Sequence, residues 1–195
     1  MTPRVHDTIV ALSVLGVVGQ ILIAVGIVFG LLALAGVRGP LDGLRNLLWG
    51  YELWGAFVVA AIATGGSLFF SQIAHFPPCE FCWFQRVLMY PLSILTLLIA
   101  ARGDNRAARY LLPLPIVGAG TSIYHILIEN GVISEPKACL VSAPGGCGVK
   151  WINEFGYITI PTLALTAFLL LIGFLVLASS GEAEVPATLP AHAER

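Results

Sequence analysis

Five long apolar runs constrain the fold of this chain more than any other feature of its sequence. About 20 apolar residues in an α-helix are needed to cross the hydrocarbon layer of a bilayer. Because a bilayer interior holds no water, the backbone there must be hydrogen-bonded within helices or a closed barrel. The sequence therefore predicts an all-α polytopic membrane protein, a four-helix bundle plus one extra N-terminal transmembrane helix. The predicted spans are residues 9–37, 49–73, 81–101, 110–129 and 157–178.

Composition supports a location in the lipid bilayer and argues against a nucleic-acid partner. Hydrophobic residues make up 57% of the chain, charged residues only 11%, and the mean hydropathy is +0.89. A soluble domain carries about 25% charged residues. The formal net charge is −1, which provides no basic surface for nucleic acid.

The apolar runs divide the chain into three parts. Residues 1–48 are predicted to form the extra transmembrane helix and a cytoplasmic link, with a break at Gly39-Pro40. The alternative for the first run is a cleaved signal peptide, which normally has a basic start and an apolar core of about 7–15 residues. Residues 49–178 are predicted to form the four-helix domain, and residues 179–195 a disordered cytoplasmic tail.

Arginines set the expected orientation of the spans, because cytoplasmic loops are enriched in basic residues. Three arginines lie between the third and fourth spans, and two more precede the second span on the same predicted side: Arg102, Arg106, Arg109, Arg38 and Arg45. Two spans separate Cys82 from Cys139, so both cysteine pairs are expected on the opposite, extracytoplasmic side. Disulfides persist in that compartment.

The four cysteines form two close pairs. Cys79 and Cys82 stand directly before and at the start of the third span, whereas Cys139 and Cys147 lie in the one long hydrophilic connection, residues 132–155. A helix N-terminus favours a thiolate, the species that attacks a disulfide. We expect that effect at Cys82.

Arg86 follows Cys82 by four residues and is predicted to lie on the same helical face, one turn further in. Charged residues at membrane depth are rare and usually functional. A cation there would stabilise negative charge developing on a lipid-soluble electron acceptor such as a quinone. The pattern predicts a redox centre at the membrane surface.

Other interpretations of the cysteines remain open. All four could bind zinc, although the spacing of the second pair fits a zinc knuckle poorly and an external location favours oxidation, so we expect no metal. Two inert disulfides could instead staple a non-enzymatic membrane scaffold. A small transporter is less well supported, because no span carries a pair of charged residues near its middle.

The run Cys79-Glu80-Phe81-Cys82-Trp83-Phe84-Gln85-Arg86 resembles the signature of the DsbB family of disulfide-bond-forming membrane proteins, especially its BdbC-like branch. Tyr157-Ile158-Thr159-Ile160-Pro161, which opens the last span, is similar to that branch as well. The resemblance covers about residues 49–178. The extra N-terminal helix and the close spacing of the second cysteine pair depart from the best-known members.

The resemblance implies a quinone-dependent protein-disulfide oxidoreductase with a two-step electron relay. A reduced, extracytoplasmic DsbA-like thioredoxin-fold partner would attack Cys139–Cys147, with Cys139 as the expected site of the mixed disulfide. Electrons would pass to Cys79–Cys82, and Cys82 would transfer them to ubiquinone or menaquinone held beside Arg86. A mobile glycine-containing loop would carry the second pair between the partner and the first pair. The sequence physics alone does not fix the direction of electron flow.

Four further polar residues lie near this predicted site. His125 is expected near the outer end of its span and is a candidate quinone ligand, with an ordinary structural histidine as the alternative. Gln85 matches the family run, but a packing or polar-satisfaction role is expected for it. Glu129 and Glu135 are expected to be solvated.

Overall fold

A computed structural model describes residues 3–142 and 145–180. Within these residues the chain forms eight α-helices and no strand. The helices are α1 (Pro3–Leu34), α2 (Gly39–Leu48), α3 (Glu52–Leu68), α4 (Glu80–Arg102), α5 (Asn105–Leu111), α6 (Pro113–Glu129), α7 (Lys137–Ser142) and α8 (Ile160–Ser180). A π-helical turn at Phe69–Ile73 extends α3. Five helical segments are long and apolar enough to cross a membrane. The prediction of an all-α polytopic membrane protein is therefore confirmed.

Helices α3, α4, α6 and α8 pack into one bundle, in which α8 contacts both α3 and α6. Its core is aliphatic and aromatic, with Leu92, Phe168, Leu171 and Leu175 fully buried. Gly118 allows α6 to approach α8 closely, since a Cβ atom there would lie 2.4 Å from the Phe168 ring. Small residues permit such contacts between membrane helices, where dispersion forces supply much of the stabilisation.

The extra helix α1 packs against α8 on the outside of this bundle. Gly16 and Gly19 make the approach possible, because a Cβ atom at either position would lie within 3.0 Å of an α8 side chain. Gln20 adds polar contacts. Its Nε2 donates to Thr166 Oγ1 at 3.3 Å, and its Oε1 accepts from the Tyr157 hydroxyl at 2.9 Å. Thus α1 is joined to the bundle by both close packing and hydrogen bonds.

The link after α1 differs from the sequence-based expectation. The prediction of a helix break at Gly39-Pro40 is wrong, because both residues lie in the first turn of α2. Proline is tolerated there, since an amide hydrogen in the first turn has no partner within the helix. The chain turns earlier, at Gly36, where φ is 94°. Most of the predicted tail, residues 181–195, lies outside the described residues.

Candidate active site

The site begins where the chain passes from α3 into α4. His75 ends the π-helical extension with φ at 58°, a left-handed conformation in which histidine is more common than most residues. Pro77 and Pro78 follow and cannot donate the hydrogen bonds that would continue a helix. Cys79 then occupies the N-cap of α4, and its sulfur accepts the backbone N–H of Cys82 at 3.4 Å.

Cys79 and Cys82 lie side by side on this first helical turn. Their sulfur atoms are 2.6 Å apart, with Cys79 buried and Cys82 partly exposed. A hydrogen bond from the Cys82 thiol is the main reason that the pKa of Cys79 is lowered from 9.0 to about 5. Burial of Cys79 acts in the opposite direction and raises this pKa, whereas the nearby His125 lowers it further. The thiolate is therefore favoured on Cys79, whereas the sequence predicts it on Cys82. The largest contribution to the low pKa of Cys79 is the hydrogen bond from the Cys82 thiol, and the capping hydrogen bond from the Cys82 backbone makes the smallest one.

The sulfur positions do not match the four-cysteine zinc site. Cys139 and Cys147 are joined in a disulfide, with their Cα atoms 5.4 Å apart, and disulfide sulfurs are not thiolate ligands. Two sulfurs bound to one tetrahedral zinc would lie roughly 3.8 Å apart, given Zn–S bonds of about 2.3 Å. The closer approach of Cys79 and Cys82 suits formation of a disulfide better than shared binding of a metal.

The Cys139–Cys147 disulfide closes the connection between α6 and α8. Both cysteines are buried, and with Cys79 and Ile128 they form one cluster. The two pairs therefore lie at the same end of the bundle. Glu135 holds the loop, because its carboxylate accepts the backbone N–H of Cys147 and that of Gly148, the latter at 3.1 Å. The expectation that Glu135 is merely solvated is wrong.

His125 lies between the two cysteine pairs. Its Nε2 is 3.6 Å from Cys79 Sγ and 3.0 Å from the backbone oxygen of Cys147. The side chain is only 2% exposed, and its Nδ1 has no hydrogen-bond partner among the described residues. One turn further along α6, Glu129 accepts a hydrogen bond from Thr159 at 2.7 Å, so it is not simply solvated either.

An apolar groove of about 290 Å³ lies on the other side of Cys82. Arg86 and Gln85 line it together with Cys82, whereas His125 does not. Two hydrogen bonds to Ser67 hold Arg86 in place. The Arg86 Nε donates to the Ser67 hydroxyl at 2.9 Å, and a terminal guanidinium nitrogen donates to the Ser67 backbone oxygen at 3.0 Å. Its guanidinium also lies 5.3 Å from the Trp83 ring centre. Hence Cys82 and Arg86 share one cavity, as the sequence predicts, but His125 is outside it.

The sequence does not reveal that Gln85 lines the groove beside Arg86. Gln85 is 6% exposed, and its amide nitrogen has no hydrogen-bond partner in the described part of the chain. A buried donor without a partner costs about 1–3 kcal/mol. Its position just before Arg86 in the family-like run was the available signal. Neither packing nor a hydrogen bond within the described residues satisfies this amide nitrogen.

The first cysteine pair therefore has two different neighbours. On one side are His125 and the disulfide loop, through which another thiol or disulfide can be reached. On the other side is the groove with Arg86, open to an apolar molecule. This arrangement can accept electrons by thiol–disulfide exchange and donate them to a ligand of a different chemical kind.

Comparison with known proteins supports thiol–disulfide chemistry. The family model described as Disulfide bond formation protein DsbB matches residues 50–178. "Disulfide bond formation protein C" of Bacillus subtilis is 46% identical over 133 residues, covering 68% of this chain and 95% of that protein. A "Probable disulfide formation protein" of Deinococcus radiodurans is 40% identical, covering 64% of this chain and 86% of that protein.

No solved structure matches this chain significantly. The family match spans α3 to α8 and contains all four cysteines, His125 and Arg86. The extent of that match, the identity to the Bacillus protein and the membrane-spanning helices lead to one assignment. The chain belongs to the DsbB family and is a disulfide-bond-forming membrane thiol oxidoreductase.

Proposed function

We propose that this protein reoxidises an extracytoplasmic DsbA-like thiol oxidase and passes the electrons through its two cysteine pairs to a membrane quinone. The observation that carries the proposal is the position of Cys79–Cys82 between the disulfide loop and the apolar groove. The cysteine end of the bundle would face the oxidising compartment, and the arginines after α4 would face the cytoplasm.

The residues around the groove fit a quinone. A quinone is apolar except for its carbonyl oxygens, and the groove combines aliphatic walls with Arg86 and Gln85 at one end. The Gln85 amide nitrogen lacks a partner among the described residues, so a carbonyl acceptor beside it would satisfy a buried donor. A bound quinone would supply an acceptor for two electrons and two protons. Arg86, fixed by Ser67, would stabilise the negative charge that accompanies reduction.

Electrons would enter at the second pair. A thiolate of the partner attacks Cys139, the Cys139–Cys147 bond breaks, and the second partner thiol releases an oxidised partner. Both sulfurs of this disulfide are buried, so the loop has to open before a protein partner can reach them. This requirement fits their placement on a connection rather than on a membrane-spanning helix.

The pairs would then exchange. A thiolate of the second pair attacks the Cys79–Cys82 disulfide, the Cys139–Cys147 bond forms again, and Cys79 and Cys82 are left reduced. His125 Nε2 lies 3.6 Å from Cys79 Sγ, where it can give a proton to the leaving sulfur. The low pKa of Cys79 makes it a good leaving group in this step.

A direct test follows thiols and quinone together. The full-length protein is purified in detergent, fully reduced, freed of reductant and mixed with a soluble quinone that has no prenyl tail. We expect quinone absorbance to fall as thiols disappear, with two thiols lost per quinone reduced. Both changes should require Cys79 and Cys82. Persistent thiols and unchanged quinone absorbance would contradict the proposal and favour a scaffold held by disulfides.

A further inference from the structure

Helix α1 provides one wall of the groove that reaches Cys82 and Arg86. The family match begins at residue 50, so this wall comes from a part of the chain that the family model does not include. The contributing residues lie at helical spacing along one side of α1: Leu12, Leu15, Gly16, Val18, Gly19 and Leu22. A helix outside the region matched by the family model thus shapes the cavity next to Cys79 and Cys82.

We propose that α1 binds the prenyl tail of the membrane quinone and that Leu22, at the inner end of the groove, determines preference for long-tailed quinones. This inference rests on the proposed reduction of a quinone. It assigns a function to the one transmembrane helix that the four-helix relay leaves unused.

The position of α1 is fixed well enough for it to act as a wall. Gly19 brings it so close to α8 that a Cβ atom there would lie 2.9 Å from Thr166 and 3.0 Å from Leu170. The side chain of Gln20 is hydrogen-bonded to Thr166 and to Tyr157. A side chain one turn beyond Gly19 is therefore held at a defined depth beside α8.

The groove becomes less polar with depth. Gln85 and Arg86 lie within the first two turns of α4, roughly 9 Å from the helix start at 1.5 Å per residue. Leu170, which packs beside Gly19, lies roughly 15 Å into α8 by the same measure. Further in, the groove is lined by the aliphatic side chains of Leu22, Val59, Ile62 and Leu170, together with Tyr90, whose hydroxyl lies 3.4 Å from Ser67 Oγ.

This gradient matches one molecule with a polar head and a long apolar substituent. The unpartnered Gln85 amide and the Arg86 guanidinium suit the carbonyl oxygens of the ring. A ring held beside Gln85 and Arg86 leaves its substituent directed inward along α1, where most of the available contacts are apolar. The volume of about 290 Å³ is small for a ligand site, so added bulk at the inner end would displace a tail.

Two adjacent residues of α1 provide a matched pair for the experiment. Leu22 lines the groove and Ile21 does not, although the two are equally exposed, at 56% and 57%. Leu22→Trp places bulk inside the groove, whereas Ile21→Trp places the same bulk elsewhere on the helix at nearly the same depth. Neither residue contacts a cysteine or Arg86 among the interactions described above.

Binding is measured on the full-length protein at a fixed detergent concentration. A radiolabelled quinone without a tail reports binding of the ring, and its displacement by a long prenyl quinone reports binding of the tail. We expect Leu22→Trp to weaken the long-tailed quinone about tenfold, the equivalent of losing contacts with about two methylene groups. Binding of the tail-less quinone should not change, and Ile21→Trp should match the wild type with both ligands.

Each other outcome overturns the inference in a recognisable way. Unchanged binding of the long-tailed quinone by Leu22→Trp would mean that the tail leaves the groove elsewhere or that a lipid chain occupies its inner end. Equal weakening by Leu22→Trp and Ile21→Trp would indicate a general disturbance of α1. Weaker binding of the tail-less quinone by Leu22→Trp alone would place the effect on the ring site. Failure of the wild-type protein to bind either quinone would overturn the proposed function as well.

Discussion

Cys79 and Cys82 are held by the first turn of a membrane-spanning helix, whereas Cys139 and Cys147 are held by the connection between two such helices. The first pair has a capping hydrogen bond, a neighbouring histidine and a groove. The second pair is restrained by its own disulfide and by Glu135. Both sites consist of two closely spaced cysteines, but the first pair lies on a membrane-spanning helix and the second on a loop.

This difference fits the two halves of the proposed electron relay. A lipid-soluble acceptor needs a donor fixed at the membrane edge, because productive transfer depends on orientation. A protein partner needs a disulfide that can be exposed, and connections can move in ways that packed helices cannot. The comparison predicts that the two pairs can be inactivated separately.

Serine substitutions should produce the largest effects and test that separation directly. With dithiothreitol as the electron donor, Cys79→Ser and Cys82→Ser should abolish quinone reduction, because no disulfide remains next to the groove. Cys139→Ser and Cys147→Ser should keep this reaction but lose reoxidation of a purified DsbA-like protein. Quinone absorbance and partner thiol count measure the two reactions. Loss of both reactions in all four variants would show that the pairs do not act separately.

Arg86→Met should have the next largest effect, confined to the groove side. Removing one group that stabilises developing charge commonly costs about a hundredfold in rate, so we expect a fall of that size in kcat/KM for quinone. Arg109 provides a matched control at the other end of the bundle. Like Arg86, Arg109 donates a hydrogen bond to a hydroxyl and lies over an aromatic ring, and Tyr110 provides both of these groups. Equal losses in Arg86→Met and Arg109→Met would remove the role assigned to Arg86.

The low pKa of Cys79 predicts a pH-dependent potential for the first pair. Below pH about 5, reduction takes up two protons and the potential should fall by about 59 mV per pH unit. Between that pH and about 9, Cys79 stays a thiolate in the reduced protein, one proton is taken up, and the slope should be about 30 mV. As pH rises through this window, the potential of this pair therefore falls less than that of an ordinary thiol pair, so its reduced form becomes more favoured by comparison.

His125→Gln should move the change of slope to higher pH, because His125 contributes to lowering the pKa of Cys79. The remaining hydrogen bond from Cys82 should keep the pKa below that of a free thiol. Redox titration against glutathione buffers at several pH values measures the slopes. A constant slope of about 59 mV from pH 5 to 9 in the wild type would mean that no thiolate is stabilised.

The sequence predicts the membrane helices well because each span must meet a strict requirement for length and apolar composition. It predicts the proximity of Cys82 and Arg86 for a similar reason, since spacing along one helix determines which residues share a face. The two-residue separation also allows Cys79 and Cys82 to approach each other. These features depend on local geometry, which a sequence contains directly.

Features that depend on contacts between distant segments are less accessible. His125 is expected at the quinone but lies between the cysteine pairs, because its helix packs on the far side of Cys79 from the groove. The thiolate is expected at Cys82, but the hydrogen bond from the Cys82 thiol and the proximity of His125 favour it on Cys79. The docking of α1 depends on glycines facing particular α8 side chains, which no local pattern reveals.

Glu135 is another residue whose role arises only from the tertiary structure, and its removal should have the smallest effect on turnover. Hydrogen bonds to a charged group contribute about 1.5–3 kcal/mol. In Glu135→Gln, we therefore expect amide hydrogen exchange at Cys147 and Gly148 to accelerate at least about tenfold in the oxidised protein. Reoxidation of the partner should change by less than about threefold, because the disulfide itself keeps the loop closed.

Glu154→Gln is the control, since Glu154 lies in the same connection but pairs through its backbone with Ile158, away from the disulfide. It should leave exchange at Cys147 and Gly148 unchanged. A large loss of partner reoxidation in Glu135→Gln, with quinone reduction from dithiothreitol intact, would sharpen the comparison between the pairs. Such a result would mean that Glu135 has to hold the loop in one conformation for the partner to react. The second cysteine pair would then depend on a fixed geometry, as the first pair does, although it lies on a connection between helices.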